Sequence, residues 1–335
     1  MGTIELKKKF RALWEEAKKG EFMRSIVMRT IGDLPENELL IKVYYSSLNY
    51  KDALSASGNK GITKKYPHTP GIDAVGIVEH SVVNDFQKGD RVIVTSYDLG
   101  MNTPGGFGEY IRVPASWAVK LPENMGMKES MVIGTAGFTA ATCVYHLSEK
   151  VSPKDGKIIV SGASGGVGSM SVALLNQLGY EVVAISGKTK ENNFLKQLGA
   201  KEIISRIDFQ DKEVRPLLSA IYAGGIDTIG GVVLENIIKS VKQYGVVACC
   251  GNVASPDLNL TVYPFILRGI SLVGVSTQNY PMDKRKVIWE KLATDWKLSF
   301  LADLQHEISL DDLNDSIDDM LQGSIKGRTV IKMVQ

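Results

Sequence analysis

The sequence predicts an α/β fold, a doubly wound parallel sheet joined to a mostly β, barrel-like unit, and three observations carry that expectation. Lys157-Ile158-Ile159-Val160 runs into Ser161-Gly162-Ala163-Ser164-Gly165-Gly166-Val167-Gly168 and on to Leu178, which reads as a buried strand, a glycine turn and a helix. From there to Val275, continuous apolar strands alternate with amphipathic helices, as in a parallel sheet covered on both faces. Between about Arg24 and Leu121, short β-like runs are separated by Pro, Gly and Asn, the texture of a small barrel.

Taken in order, the N-terminus is ambiguous. Leu6, Phe10, Leu13 and Trp14 stand at helical spacing among lysines, but a first strand or a partly ordered tail is expected there in preference to an amphipathic helix. The β unit follows with runs at 39–45, 74–79, 90–95, 110–113 and 118–121, punctuated by Pro67, Pro70-Gly71, Gly89, Pro104-Gly105-Gly106 and Pro114. After the glycine turn come a second strand at 181–187, a helix at 191–198 closed by Gly199, and a third strand at 202–206. Fourth, fifth and sixth strands are expected at 225–230, 245–250 and 271–275, with a helix at 234–241 between the first two of these. A helix at 309–322 and a last strand at 327–333 complete the chain, the strand returning to the β unit.

A helix N-terminus without side chains in the way presents backbone N–H groups to a pyrophosphate, so Ser164, Gly165, Gly166 and Val167 are candidate phosphate contacts in a Rossmann-type domain. The end of the second strand faces the adenosine ribose in such folds, and a carboxylate there selects a free 2′-hydroxyl. Here the position holds Ser186-Gly187-Lys188, and Arg206 ends the third strand with a planar pair of donors. NADPH is therefore expected in preference to NADH.

Composition excludes several classes. The 335 residues carry a net charge of +2, which gives no reason to expect nucleic acid or an acidic membrane surface as partner. No apolar run is long enough to span a bilayer, no secretory leader is recognisable, and Met1-Gly2 is followed by Leu6 where a myristoylation signal wants Ser or Thr. Three cysteines, two of them adjacent, make no disulfide framework. A cytoplasmic protein acting on a small molecule is expected.

The strings Ser46-Ser47-Leu48-Asn49-Tyr50-Lys51-Asp52-Ala53-Leu54, Pro70-Gly71-Ile72-Asp73-Ala74-Val75-Gly76, Gly105-Gly106-Phe107-Gly108-Glu109-Tyr110, Gly134-Thr135-Ala136-Gly137-Phe138-Thr139-Ala140 and Val262-Tyr263-Pro264-Phe265-Ile266-Leu267-Arg268-Gly269 resemble the medium-chain dehydrogenase/reductase superfamily. Within it they look like the zinc-independent acryloyl-CoA reductase and quinone oxidoreductase branch, over about Phe10 to Lys332. The resemblance implies a GroES-like catalytic domain at 1–125 and 278–335, a Rossmann domain at 126–277, and a homodimer paired through the edge strand at 271–275. Zinc-using members need Cys and His ligands in the β domain, but no cysteine precedes Cys143 and Gly71-Ile72-Asp73 replaces their Gly-His-Glu motif. No zinc site is expected.

Without a Lewis acid, alcohol oxidation is poorly served and reduction of a polarised C=C bond is well served. The resemblance places Tyr50 against the nicotinamide ribose, to orient the cofactor or donate a proton, and Asn49 at the substrate carbonyl or the carboxamide. Asp52 would orient Lys51 or cap the following helix. It further implies cofactor contacts from Asn252, Ile266, Thr277 and Gln322. The stretch Gly230-Gly231-Val232-Val233 departs from the pattern by lacking a polar residue. Three readings stay open: an NADPH-dependent enoyl-thioester reductase, with Lys60, Lys64, Lys65 and Arg268 as a basic rim for CoA; a quinone reductase, with Tyr50, Tyr66, Tyr97 and Phe107 as a flat slot; and a non-catalytic NADPH-binding protein.

Overall fold

The computed structural model describes residues 4–18, 21–210, 215–299 and 301–334. Met1 and Gly2, read above for a lipid anchor, lie outside them. The chain divides into two compact units: Met1–Thr135 with Gln278–Ala293 and Phe300–Gln335, and Ala136–Thr277 with Thr294–Ser299. Residues 126–135, grouped by resemblance with the nucleotide domain, fall in the first unit.

The second unit is a six-stranded parallel sheet in the spatial order Ala200–Ser205, Val182–Ser186, Ile158–Val160, Tyr222–Asp227, Val241–Cys249, Ser271–Gly274. Numbered within the unit this is 3-2-1-4-5-6, the doubly wound order of the Rossmann fold. The strands are apolar because both faces are covered: Ile159, Val183, Ile185, Val247, Ile237 and Ile238 share one buried cluster. The helix expected at 234–241 spans Gly231–Ser240, and Val241 already belongs to the next strand, because its side chain is needed in that core. The departure at Gly230-Gly231 has a backbone explanation. Both residues are left-handed (φ 73° and 58°), and the Gly230 N–H is capped by Asp227 Oδ2 at 2.7 Å.

The first unit is built on a sheet in the order Gln305–Ser309, Arg328–Lys332, Leu39–Leu48, Asp73–Ser81, Arg91–Thr95, Ala118–Lys120, with Tyr110–Val113 also paired to Leu39–Leu48. The final strand does return to this sheet, antiparallel to Leu39–Leu48. The helix expected at 309–322 is shorter, Leu313–Leu321, because residues Gln305–Ser309 add a parallel edge strand beside Arg328–Lys332 and Asp312 Oδ2 accepts the Ser309 N–H, ending that strand. The N-terminal segment is strand and not helix: Lys9–Lys18 and Glu21–Thr30 form a hairpin. Its backbone is drawn into the unit by Leu13 N–H to Phe107 O and Glu15 N–H to His68 O, each 2.8 Å, bonds that a helix could not make.

That hairpin buries Glu15 completely. Desolvation pushes its carboxyl up to about 8, against the opposing pull of Arg24 and Lys60. The folded form therefore holds a proton that the unfolded chain has released, so stability falls as pH rises from about 4.5 to about 8, by up to about 1.4 kcal/mol per pH unit. Glu15→Gln is expected to stabilise the protein more at pH 8 than at pH 5 in urea unfolding. An equal gain at both values would remove this account.

Candidate functional site

In the nucleotide unit, the strand Ile158–Val160 delivers the turn directly to the helix Gly166–Gln177, whose N-cap is Gly165. No side chain caps this helix. Gly168 is required by close approach, since a Cβ there would overlap the Gly162 carbonyl and Ala163 Cα. Ser164 is buried, and Gly165, Gly166 and Val167 are half-buried. The bare N-terminus fits a pyrophosphate. Below the turn, Ser161 Oγ donates to Asp227 Oδ1 at 2.6 Å and accepts the Thr228 N–H at 3.0 Å, tying strands one and four at the point where the strand order reverses. Burial raises the Asp227 carboxyl, partly offset by Ser161 Oγ and the N–H groups of Gly230 and Ile229.

The structure brings Ser186, Gly187, Lys188 and Arg206 together. The Arg206 N–H bonds Ser186 O at 3.0 Å, and the guanidinium lies 3.4–3.5 Å from where a Gly187 Cβ would stand. Ser186 Oγ accepts the Lys188 N–H at 3.0 Å, closing a turn. Partial burial lowers the Lys188 ammonium, against Glu191. No carboxylate ends the second strand, and this cationic, glycine-backed corner fits a 2′-phosphate. Asn252 sits in the loop after Val241–Cys249, its Cα beside Gly230. Ile266 projects from the short helix Tyr263–Arg268 and is 67 % exposed. Thr277 is buried, its hydroxyl paired with Thr139 Oγ1 at 2.8 Å. Arg268 does not belong to a basic rim. It donates to the carbonyls of Leu218, Lys239 and Val241 at 2.6–3.0 Å and so braces the unit from within.

In the first unit, Asn49 caps the helix Tyr50–Ser55, with Asp52 Oδ2 accepting the Asn49 N–H at 2.8 Å. Asp52 thus caps the helix, the second of the two roles open for it, and its other oxygen accepts the Ile72 N–H. Full burial and then the Asp73 charge push its carboxyl up to about 7. The sequence reading missed what lies behind this turn. Asp73 is fully buried and accepts from Ser47 Oγ (2.6 Å), Asn49 Nδ2 (2.8 Å), Thr135 N (2.9 Å) and Thr135 Oγ1 (2.6 Å). Arg328, also buried, stands 3.9 Å from the same carboxylate and donates to Ser47 Oγ, Asn49 Oδ1 and the carbonyls of Val132 and Leu48. Gly134 breaks the helix Met127–Ser148 with φ 49°, and a Cβ there would lie within 2.7 Å of Asp73, Ser47 and Arg328. Only glycine lets these three groups meet.

This network occupies the side chain of Asn49. Its amide N–H groups are taken by Ser47 O, Asp52 and Asp73, and its oxygen by Arg328, so nothing remains to hold a substrate carbonyl. Asn49 positions the helix. Tyr50, the first helical residue, is 45 % exposed. Gln322 caps the end of Leu313–Leu321, a helix packed against Tyr50–Ser55. Phe107 is a core residue and lines no slot. Tyr97 stacks flat on Trp117 at 5.5 Å, and the Tyr66 hydroxyl bonds Ser55 O. Lys60 rests over the Tyr66 ring at 4.4 Å, and Lys60, Lys64 and Lys65 are all exposed. The only signal for the network was local, a charged Arg328 set directly before the strand-like run Thr329-Val330-Ile331. Among the described residues, no three His, Cys, Asp or Glu side chains gather as a metal site.

A doubly wound sheet with a bare glycine turn, on one chain with a barrel-like β unit, defines the class: a two-domain, nucleotide-dependent dehydrogenase or reductase. Residues 35–123 match the family described as Alcohol dehydrogenase GroES-like domain, and residues 166–294 the one described as Zinc-binding dehydrogenase. The acrylyl-CoA reductase AcuI of Ruegeria pomeroyi is 36 % identical over 95 % of this chain and 96 % of its own. The Bacillus subtilis protein YhfP, which carries the name of a quinone oxidoreductase, is 42 % identical over 97 % of this chain and 99 % of its own. Its crystal structure, with NAD bound, gives a TM-score of 0.94. The yhdH oxidoreductase of Salmonella enterica, crystallised with NADP, gives 0.94 at 40 % identity, over 97 % of this chain and all of that one. The chain belongs to the medium-chain dehydrogenase/reductase superfamily, in the branch that holds these reductases, and is an oxidoreductase.

Proposed function

We propose that this enzyme uses NADPH to reduce the activated C=C bond of a short enoyl-CoA thioester such as acryloyl-CoA. The observation that carries the reading is the helix start at Asn49-Tyr50-Lys51, which a buried carboxylate–guanidinium network holds in place and which presents a hydroxyl and an ammonium. The identity to an acrylyl-CoA reductase supports the substrate class. When bound, NADPH supplies the hydride that adds to the β-carbon. Backbone amides at Ser164, Gly165, Gly166 and Val167 hold the pyrophosphate, and Ser186, Gly187, Lys188 and Arg206 hold the 2′-phosphate. Asn252, Ile266, Thr277 and Gln322 border the nicotinamide side. Tyr50 orients the ribose or gives the α-carbon its proton. Asn49 acts through the helix it caps.

The test is NADPH oxidation by purified protein with acryloyl-CoA, crotonyl-CoA and a benzoquinone side by side, and NADH as the control nucleotide. Turnover of acryloyl-CoA far above the quinone bears the reading out. Quinone turnover alone identifies a quinone reductase, and tight NADPH binding without turnover a non-catalytic protein.

The partners are a small-molecule substrate and a second copy of the chain. The parallel sheet ends on the half-exposed strand Ser271–Gly274, flanked by exposed Tyr244, Val262 and Leu267, an apolar edge that a twofold partner would cover. Sedimentation at micromolar concentration tests it, and a monomer there would remove the dimer. Among the described residues no helix is long and apolar enough to cross a membrane. The three cysteines are free thiols, which supports a cytoplasmic setting.

A further inference from the structure

Hydride addition to the β-carbon of an enoyl thioester moves the π electrons onto the carbonyl oxygen, and that oxygen needs a donor. Asn49 cannot serve, because its amide is occupied within the fold. Asp52 is a buried acceptor. The donors left on this helix start are the Tyr50 hydroxyl and the Lys51 ammonium.

Lys51 is the second residue of the helix Tyr50–Ser55. It is half-buried, its Nζ donates to Gln278 Oε1 at 3.1 Å, and among the described residues no carboxylate stands within ion-pair distance of it. Gln278 is itself held, its carbonyl accepting the Tyr97 N–H at 2.9 Å from a residue in left-handed conformation (φ 52°). One of three ammonium donors is therefore fixed and two remain. A desolvated cation with no carboxylate in ion-pair contact costs stability, and such groups concentrate where a charge is used.

We propose that the Lys51 ammonium, aimed by Gln278, is the group that holds the thioester oxygen of the substrate and stabilises the enolate formed there. The inference rests on the enoyl-thioester reading above. Lys51 stays protonated throughout. Hydride adds to the β-carbon, the enolate collapses as the α-carbon takes a proton, and enoyl thioester, NADPH and one proton become acyl thioester and NADP⁺. Burial lowers the Lys51 ammonium from its usual range and the Asp52 charge partly restores it. The other titratable groups nearby are Tyr50 on the same helix and, around Gln278, Tyr97, with Arg285 over its ring at 4.7 Å and Tyr280 beyond. Activity is thus lost on the alkaline side as the ammonium deprotonates.

Lys51→Met is expected to lower kcat on acryloyl-CoA on the order of 100-fold, the usual effect of one lost oxyanion donor. Its dissociation constant for NADPH, read by nucleotide fluorescence, stays within twofold. Lys51→Arg keeps part of the rate and moves the alkaline limb of the kcat profile upward, because a guanidinium does not deprotonate in that range. A Met variant within threefold of wild type, a matching loss of NADPH affinity, or an alkaline limb unmoved in the Arg variant overturns the proposal. A wild-type enzyme inactive on every enoyl thioester instead overturns the reading beneath it, whatever the variants do.

Discussion

Arg328→Met is expected to destabilise the first unit by about 3–5 kcal/mol, the usual result of removing one partner from a buried charged pair. The reason is the company Arg328 keeps. Two buried carboxylates, Asp73 and Asp52, face its buried guanidinium, and burial and then the Asp73 charge already push the Asp52 carboxyl up to about 7. Without the cation, Asp73 would keep its four hydrogen bonds but lose the buried guanidinium 3.9 Å away, and Asn49 Oδ1, Ser47 Oγ and two backbone carbonyls would lose donors. A drop in melting temperature on the order of 10 °C should follow. Arg328→Lys should recover little, since an ammonium cannot reach the same set of acceptors in one planar fork. Thermal and urea unfolding of both variants decide the matter. If Arg328→Met unfolds within 1 kcal/mol of wild type, roughly the scale of an ordinary surface change, the network is not what holds this unit together.

Arg206→Ala should weaken NADPH on the order of 10- to 100-fold and leave NADH within about threefold, as expected for one charge-assisted contact to a 2′-phosphate. The guanidinium lies against Gly187 at the end of the strand Val182–Ser186, where a carboxylate would select NADH. Titration of both nucleotides into wild type and variant reads the difference directly. Equal losses for the two would mean that Arg206 serves the adenine or the fold and not the phosphate. The comparison matters because relatives of near-equal similarity have been crystallised with NAD and with NADP.

The nucleotide unit was largely legible in the sequence because its signals are local. Gly162, Gly165, Gly166 and Gly168 stand within seven residues, their strand before them and their helix after, and each element boundary there moved by only a few residues. The N-terminal hairpin was legible only in part, as a first strand without its partner. The same apolar residues satisfy a helical spacing, and the choice was made by backbone partners at Phe107 and His68, far along the chain. The strand Gln305–Ser309 was missed for a related reason, as it exists only beside Arg328–Lys332.

The role of Asn49 shows the limit most sharply. Sequence context leaves it two roles, a contact to the substrate carbonyl or the carboxamide and a helix N-cap. Its actual partners are Asp52, three residues away, Asp73, 24 away, and Arg328, 279 away. By itself the sequence determined the order of strands and helices, the glycine turn and the cation-rich end of the second strand, since these depend on periodicity and on backbone freedom within a few residues. Only the tertiary structure decided which polar groups are already satisfied and which stay available for chemistry. A buried carboxylate must find its donors wherever the fold brings them, and sequence distance carries no record of that choice.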